Sequence, residues 1–301
     1  MTSIKPSLSV LILSVIFCLN SAYASSFRMN QEINHHFTEE IRPGYELEIY
    51  HHGTDSDTFI FFIHGAGGRA DQWHHQINAL KDKYTIVAFD LLRHGKSPKP
   101  KAGYTFSELM GDVEKIYTKY KRENNIVIAH SYGVAFALQL ALKNEHKIQK
   151  LILIGANKPS SITRVGLWNL PVIILEWLRP VFSNGFAKNA FHSDSDPDFI
   201  NRERATSDQN PMGVMKALIK GMKDIPSMNV NDISIPVLII NGATDGLTPV
   251  AGAKRLAAEI PNAKLKIIEK TSHLVMMEQP EIGNKIIANF INQKQEIITY
   301  V

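Results

Sequence analysis

The chain has 301 residues, of which 44% are hydrophobic and 21% are charged, a balance typical of soluble globular proteins. This composition excludes a disordered chain, a collagen-like repeat and a polytopic membrane protein. Lys and Arg number 33 against 29 Asp and Glu, and a formal net charge of only +4 without a basic stripe argues against a nucleic-acid partner.

The first 24 residues have the pattern of a secretory signal peptide. Lys5 precedes an apolar run over residues 8–19, and Ala22-Tyr23-Ala24 forms a small-residue cleavage site. A retained membrane anchor is the alternative, but the run is shorter than the roughly 20 residues that span a bilayer. We therefore expect export to the periplasm or the exterior, with a mature chain of residues 25–301 and no stable transmembrane anchor. The only cysteine, Cys18, is removed with the signal, which excludes disulfides and Cys-based metal sites.

Short β-branched and aromatic runs recur along the mature chain. They occupy residues 59–63, 85–89, 126–128, 151–154, 237–240 and 265–268. Helical spacing is found between them, in residues 106–120, 134–142, 250–260 and 280–292. Near-continuous apolar strands that alternate with helices predict an α/β fold with a mostly parallel central sheet flanked by helices. Residues 46–51 are expected to add an antiparallel strand at the edge of the sheet.

Residues 157–232 break this alternation. They contain no strand-like run, but they carry bulky apolar residues such as Trp168 and Trp177 and a helical pattern over residues 212–222. Connections in α/β units are usually about 2–6 residues, so this stretch is an insertion. It forms either extra helices packed on the sheet or a helical cap over the carboxyl ends of the strands, where ligands bind in such folds. We favour a cap inserted into one domain whose core is residues 25–156 and 233–301.

A serine lies at a sharp turn between a predicted strand and a predicted helix. Residues 129–133 read Ala-His-Ser-Tyr-Gly, with the strand 126–128 before them and the helix after them. This is the context of a nucleophile elbow, in which Ser131 is exposed at the tip of the strand and Gly133 keeps the turn tight. The following helix also favours negative charge near Ser131.

A serine nucleophile needs a base, and the base needs an acid that orients it. Among the 12 histidines, His273 follows the last predicted strand, whereas most others occur in adjacent pairs and His130 is expected to point away from the site. Asp245 follows the strand 237–240; its alternative interpretation is an ordinary Asp-Gly surface turn. The order Ser131, Asp245, His273 is that of the Ser-Asp-His hydrolases, and we therefore predict these three residues as a catalytic triad.

A glycine-rich turn follows the first central strand. Residues 64–68 read His-Gly-Ala-Gly-Gly, and they lack the spacing of phosphate-binding loops. We predict the backbone N–H groups of Ala66 and Tyr132 as donors to an oxyanion. The supporting residues of the two turns are His64, Gly65, Gly67 and Gly133.

Together these segments resemble the α/β-hydrolase superfamily, over nearly all of the mature chain. The resemblance rests on residues 64–68, 90–97, 129–133, 242–245 and 272–273. Within the superfamily, the chain is similar to abhydrolase-domain-containing proteins, a group with many serine esterases and lipases. The resemblance implies catalytic roles for Ser131, Asp245 and His273, oxyanion roles for Ala66 and Tyr132, and a structural role for the loop 90–97.

The sequence thus predicts an exported serine hydrolase that cleaves carboxylic esters through an acyl-enzyme. It predicts a small-molecule ester or lipid as substrate, and neither a cofactor nor a metal. Amide, C–C bond or peracid chemistry on the same triad is an alternative, as is a ligand-binding protein on a hydrolase fold. Acyl-chain length and oligomeric state stay open at this point.

Overall fold

An eight-stranded sheet forms the centre of the computed structural model, which describes residues 33–100, 104–143, 147–160 and 166–293. The strands are β1 Ile33–Arg42, β2 Tyr45–Gly53, β3 Thr58–Ile63, β4 Thr85–Phe89, β5 Asn124–His130, β6 Ile148–Ile154, β7 Val237–Gly242 and β8 Ala263–Ile268. Their order in the sheet is β1-β2-β4-β3-β5-β6-β7-β8. The pairs β1–β2 and β2–β4 are antiparallel and the other pairs are parallel, which confirms the predicted fold class.

Helices cover both faces of the sheet. They are α1 His74–Leu80, α2 Phe106–Tyr120, α3 Gly133–Lys143, α4 Val172–Trp177, α5 Arg179–Ala190, α6 Pro197–Ser207, α7 Met212–Gly221, α8 Val250–Glu259, α9 Val275–Glu278 and α10 Pro280–Asn292. Local chemistry sets some of these bounds. At the start of α2, the Thr105 hydroxyl accepts from the N–H of Glu108 at 3.2 Å, and the Glu108 carboxylate accepts from the N–H of Thr105 at 3.0 Å. Within the described residues, no helix is long and apolar enough to span a membrane.

Alternation along each central strand divides the core into two layers. In β3, Phe59 and Phe61 pack into one apolar cluster, whereas Ile60 and Phe62 pack into the other. Side chains of successive residues in a strand point to opposite faces, so both faces of the sheet are buried. This explains why the strands read as unbroken apolar runs in the sequence.

The edge of the sheet differs from the sequence-based expectation. Residues 46–51 lie in β2 and are antiparallel as predicted, but β2 is the second strand and β1 is the edge. β1 carries the sequence INHHFTEEIR, and within residues 34–42 only Ile41 is buried. A solvent-exposed edge strand needs no apolar run, and polar residues on an edge discourage pairing with other chains. The pattern that identified the other strands was therefore missing here.

Between β6 and β7, the described residues form helices and turns and no strand. The segment contains α4 to α7 and short 3₁₀ turns, of which the first is Gly166–Asn169. It contacts the loop after β3, where the Asn210 side chain donates to the carbonyl oxygen of Gly67 at 3.2 Å. We call the described residues of 157–232 the cap. The predicted signal peptide lies outside the described residues.

A buried lysine ties β6 to the last helix. Lys150 is 8% exposed, and its ammonium donates to the carbonyl oxygens of Phe290, Ile291 and Gln293 at 2.9, 2.6 and 2.6 Å. These oxygens belong to the last turn of α10 and to Gln293 directly after it, where helix carbonyl groups lack the partners that they have inside the helix. Lys150 thus supplies hydrogen bonds and positive charge where the helix dipole is negative.

We expect Lys150→Met to lower the free energy of unfolding by about 2–3 kcal/mol, because it leaves buried carbonyl groups without donors. The control is Lys264→Met, which removes an exposed lysine that donates to the side chain of Gln293. Urea denaturation followed by circular dichroism measures both variants. Equal stability of the two variants would contradict this role for Lys150.

Candidate active site

Ser131 occupies a strained turn between β5 and α3. Its φ angle is +51°, a left-handed conformation that non-glycine residues rarely adopt. The turn is held on both sides, because the N–H of Ser131 donates to the carbonyl oxygen of Ile154 at 2.9 Å and its own carbonyl accepts from Val134 at 2.9 Å. Strain of this kind persists only where the surroundings fix it, and it is concentrated at functional sites. The geometry matches the predicted elbow.

Two glycines let the turns after β3 and β5 approach each other. A Cβ atom on Gly133 would lie 2.5 Å from the carbonyl oxygen of Ile63. A Cβ atom on Gly65 would lie 2.9 Å from the Cβ of Ser131. Both distances are too short for real contacts, so no side chain fits at either position. The glycine-rich turn predicted to donate to an oxyanion therefore lies directly beside the serine.

Asp245 and His273 form a buried hydrogen-bonded pair. Asp245 lies in the loop after β7 and His273 in the loop after β8, and they are 4% and 3% exposed. The Nδ1 atom of His273 donates to Oδ2 of Asp245 at 2.9 Å. This bond fixes the tautomer and leaves Nε2 of the imidazole able to accept a proton.

Asp245 stays ionised despite its burial. Desolvation raises the pKa of its carboxyl group. Hydrogen bonds and charge from His273 and hydrogen bonds from Thr248 lower this pKa by more than desolvation raises it, so the pKa of Asp245 lies below its usual value. Its Oδ1 accepts from the N–H groups of Leu247 and Thr248 at 2.9 and 2.8 Å. Its Oδ2 accepts from the Thr248 hydroxyl at 2.7 Å. The carboxylate is thus held in one orientation toward His273.

The two N–H groups predicted to bind an oxyanion have no partner within the described part of the chain. They belong to Ala66, in the turn after β3, and to Tyr132, directly after the serine. Ala66 and Ser131 line the same cavity. An unpaired N–H group in such a turn can donate to a developing negative charge.

The buried ring of His64 contacts two loops at the candidate site. The ring is fully buried, Nδ1 donates to the carbonyl oxygen of Gly65 at 2.7 Å, and Nε2 accepts from the N–H of Leu91 at 2.9 Å. The ring thereby joins the turn after β3 to the loop after β4. Burial lowers the pKa of His64 to about 4. Burial, together with the neighbouring His64, also lowers the pKa of His94 to about 3, and its ring lies 4.9 Å from that of His64.

The loop 90–97 is structural. The buried Asp90 carboxylate accepts from the N–H groups of Ala70 and Lys96 at 2.7 and 2.8 Å. The Ser97 hydroxyl donates to the carbonyl oxygen of Asp90 at 2.6 Å. Gly95 has a φ of +48°, and a Cβ atom there would lie 2.2 Å from the Asp90 carboxylate. These bonds fix the loop beside the active-site turn.

The prediction that His130 points away from the site is wrong. Its ring centroid lies 4.6 Å from that of His273, and Nε2 donates to the carbonyl oxygen of His273 at 3.0 Å. Burial, with the adjacent His273, holds the pKa of His130 well below its usual range, so this ring is neutral. His130 also lines the cavity at Ser131. It therefore supports His273 through the backbone carbonyl group of that residue.

Sequence reasoning missed two further residues of the site. The Thr248 hydroxyl lies 2.7 Å from Asp245 Oδ2 and 3.1 Å from His273 Nδ1, so it contacts both members of the pair. Gly155, after β6, has a φ of +57°, and a Cβ atom there would lie 3.0 Å from the His273 ring. Thr248 follows Asp245 closely and could have been found from that spacing. Gly155 gave no signal, because its contact joins distant parts of the chain.

Two adjacent cavities with lining residues in common lie between the core and the cap. The smaller, of about 180 Å³, is lined by Ser131, His273, Ala66, Gly67 and residues of the cap. The larger, of about 460 Å³, shares Ala66 and Gly67 with it and extends among apolar side chains of the cap. Those side chains are Trp168, Val181, Phe182, Phe186, Met212, Met215 and Ile219. The serine thus lies at one end of a largely apolar space.

An ion pair joins the core to the cap at the rim of the smaller cavity. Arg69 follows the glycine-rich turn, and its guanidinium donates through two nitrogens to the two carboxylate oxygens of Glu203 in α6, both at 3.1 Å. Arg69 also pairs with Asp71. The bidentate geometry is the strong form of an Arg–carboxylate contact. Within the described ranges, no cluster of three or more potential metal ligands occurs.

A serine at an elbow, a buried Asp–His pair and a glycine-rich turn on one mostly parallel sheet define an α/β hydrolase. The chain belongs to this family, whose model, described as the α/β-hydrolase fold, matches residues 58–280.

Three relatives illustrate the similarity. The chain is 31% identical over 246 residues to Protein ABHD8 of Mus musculus, with 79% of this chain covered, and it spans only 56% of that relative. It is 28% identical over 259 residues to the uncharacterized hydrolase YugF of Bacillus subtilis, covering 82% of this chain and 95% of the relative. The esterase EaEST of Exiguobacterium antarcticum has the same fold, with a TM-score of 0.74 at 20% identity over 88% of this chain and all of that one.

The buried histidines predict a loss of stability in acid. His64 and His94 have lowered pKa values in the folded chain, whereas an unfolded histidine has a pKa of about 6.5. Below pH 6.5 the unfolded chain binds protons that the folded chain does not, so stability falls as the pH drops toward 4. The expected slope is about 1.4 kcal/mol per pH unit for each such histidine.

We expect His94→Gln to reduce the slope of unfolding free energy against pH by about 1.4 kcal/mol per pH unit, the contribution of one proton. Urea unfolding midpoints between pH 7 and pH 4.5 measure it. His74→Gln, which replaces an exposed histidine, is the control and should leave the slope as it is in the unaltered chain. A slope in His94→Gln as steep as in the unaltered chain would contradict the assignment.

Proposed function

We propose that the protein is a serine hydrolase that cleaves carboxylic esters through an acyl-enzyme. The observation that carries the proposal is the buried Asp245–His273 hydrogen bond of 2.9 Å, with His273 lining the same cavity as the strained Ser131. A buried acid that orients a histidine beside an elbow serine is the arrangement required for activating a hydroxyl.

In the proposed reaction, the Ser131 hydroxyl attacks the ester carbonyl and Nε2 of His273 accepts its proton. The imidazolium is stabilised by the ionised Asp245. The N–H groups of Ala66 and Tyr132 donate to the oxyanion. His273 then returns the proton to the leaving alcohol, and the bond between the ester carbon and that alcohol breaks. A water molecule, deprotonated by His273, cleaves the acyl-enzyme and restores Ser131.

The larger cavity supports an acyl or aromatic group as part of the substrate. Its wall includes Phe182, Phe186, Met212 and Met215. The apolar part of a substrate bound there would be removed from water, which favours binding. Pockets of several hundred cubic ångströms with few polar groups accommodate small molecules. We propose further that the reaction occurs outside the cytoplasm, which rests on the signal-peptide pattern of residues 1–24 alone.

The first test is covalent labelling. A fluorophosphonate probe should label the unaltered protein at Ser131, and Ser131→Ala should abolish labelling and reduce ester hydrolysis by at least about 10³-fold. Mass spectrometry of the labelled peptide identifies the modified residue. Ser193→Ala is the control, because this exposed serine of the cap lies outside both cavities. Labelling elsewhere, or undiminished hydrolysis by Ser131→Ala, would refute the proposal.

The second test concerns the acyl group. A series of p-nitrophenyl esters from acetate to decanoate should show kcat/KM rising with chain length until the larger cavity is filled. Met215→Trp, which narrows that cavity, should lower kcat/KM for the long esters by about tenfold and leave acetate hydrolysis nearly unchanged. A uniform loss across the series would show that the larger cavity does not hold the acyl chain.

A further inference from the structure

The cap carries an exposed apolar surface that the proposed reaction does not use. It consists of six side chains on the turn Gly166–Asn169 and on α4 and the start of α5: Leu167, Val172, Ile173, Ile174, Trp177 and Val181. We call these six residues the apolar cap face. Trp177 is 81% exposed, Ile173 77% and Val181 67%. Ile173 and Trp177 lie one turn apart on α4, and exposed apolar side chains grouped in this way mark an interaction site on a soluble protein.

The composition of α4 is unusual for a surface helix. A surface helix normally places its apolar residues against the core and polar residues toward solvent. In α4 only Leu175 is buried, whereas Ile173 and Trp177, one turn apart, both face solvent. Glu176, its single charged residue, is paired with Arg179. The outward face of α4 therefore has no charge of its own.

The elements around the apolar cap face are basic. Four basic residues and one acidic residue, Glu176, occur in the turn Gly166–Asn169 and in α4, α5 and α7. Of these elements, α7 packs against α4. The basic residues are Arg179, Lys188, Lys216 and Lys220. This excess is local, because the whole chain has a net charge of only +4 over 301 residues. Arg179 is paired with Glu176, so the three lysines are the excess, and apolar side chains with lysines on neighbouring elements suit an anionic lipid surface.

The apolar cap face also borders the larger cavity. Val181 is both an exposed member of the face and part of the cavity wall. Trp168 and Phe182 stack at 4.9 Å in the same wall. The cavity extends from there to Ala66 and Leu247, which also line the smaller cavity at Ser131. A lipid surface at this face would therefore lie beside an apolar path to the serine.

We propose that the apolar cap face docks on the surface of an anionic lipid bilayer, with Ile173 and Trp177 inserted among the acyl chains. Lys216 and Lys220 then lie near the headgroups. Docking is a binding event and does not depend on ester hydrolysis, so it can fail while the proposed reaction stands. The chemistry favours lipid over a protein partner, because a tryptophan among aliphatic residues with a basic border is typical of interfacial helices.

The test is binding of the full chain to vesicles. Vesicles of phosphatidylcholine with about one-third phosphatidylglycerol should bind the protein more tightly than vesicles of phosphatidylcholine alone, and salt should weaken the difference. The double variant Ile173→Ser with Trp177→Ser should lower the partition coefficient at least about tenfold, because two apolar side chains no longer enter the lipid. Ile282→Ser, at an exposed apolar position of α10 outside the cap, is the matched control and should bind unchanged.

A second readout locates the contact. Lipids brominated in the acyl chain should quench tryptophan fluorescence in the unaltered chain, and Trp177→Phe should remove more of the quenching than Trp168→Phe, because Trp177 is 81% exposed and Trp168 is half-buried. The third tryptophan, Trp73, is fully buried. Equal vesicle binding by the double variant would overturn the proposal and assign binding to another segment, such as the apolar residues 8–19. A dimer in sedimentation velocity that the double variant abolishes, without vesicle binding, would overturn it in favour of an interface between copies.

Discussion

The geometry of the candidate active site depends on the close approach of two turns, after β3 and after β5. Gly65 and Gly133 stand where a single added carbon would collide with the opposite backbone or with Ser131. This approach sets the position of Ser131 and presents the turn that carries Ala66 beside it. Buried hydrogen bonds hold that turn in place. His64 bonds to Gly65 and Leu91, and Asp90 bonds to Ala70. The active-site geometry is thus a property of backbone packing at the carboxyl edge of a parallel sheet.

The Asp245–His273 pair shows how a buried charge is retained. Desolvation alone would favour the neutral acid, and several donors to one carboxylate reverse that preference. Two of these donors are backbone N–H groups of the loop that contains Asp245, so the loop conformation and the ionisation state are coupled. His130 and Gly155 complete the surroundings of His273 from β5 and β6. Four neighbouring strands therefore contribute to the position of one imidazole.

The sequence predicted the parts of the molecule whose signal is local. Strands such as β4 and β7 are continuous apolar runs because helices cover both of their faces, and α2 and α10 were predicted with their observed bounds. β1 was not predicted, because an edge strand exposed to water has no such run. The residues that surround His273 escaped prediction for another reason. His130 and Gly155 contact His273 only because β5, β6 and β8, which are distant in the chain, are close in the sheet. Residue spacing along the sequence does not predict such contacts.

The ion pair between Arg69 and Glu203 has a consequence for how the cap can vary. The cap is inserted between β6 and β7, so its sequence can change without altering the register of the sheet. Glu203, however, is 8% exposed and is the partner of an arginine that follows the glycine-rich turn after β3. Without Glu203, Arg69 would keep Asp71 as a partner but would lose its bidentate contact with the cap. Cap helices exchanged to suit another ligand would therefore keep this link to the core only if a carboxylate is retained at position 203.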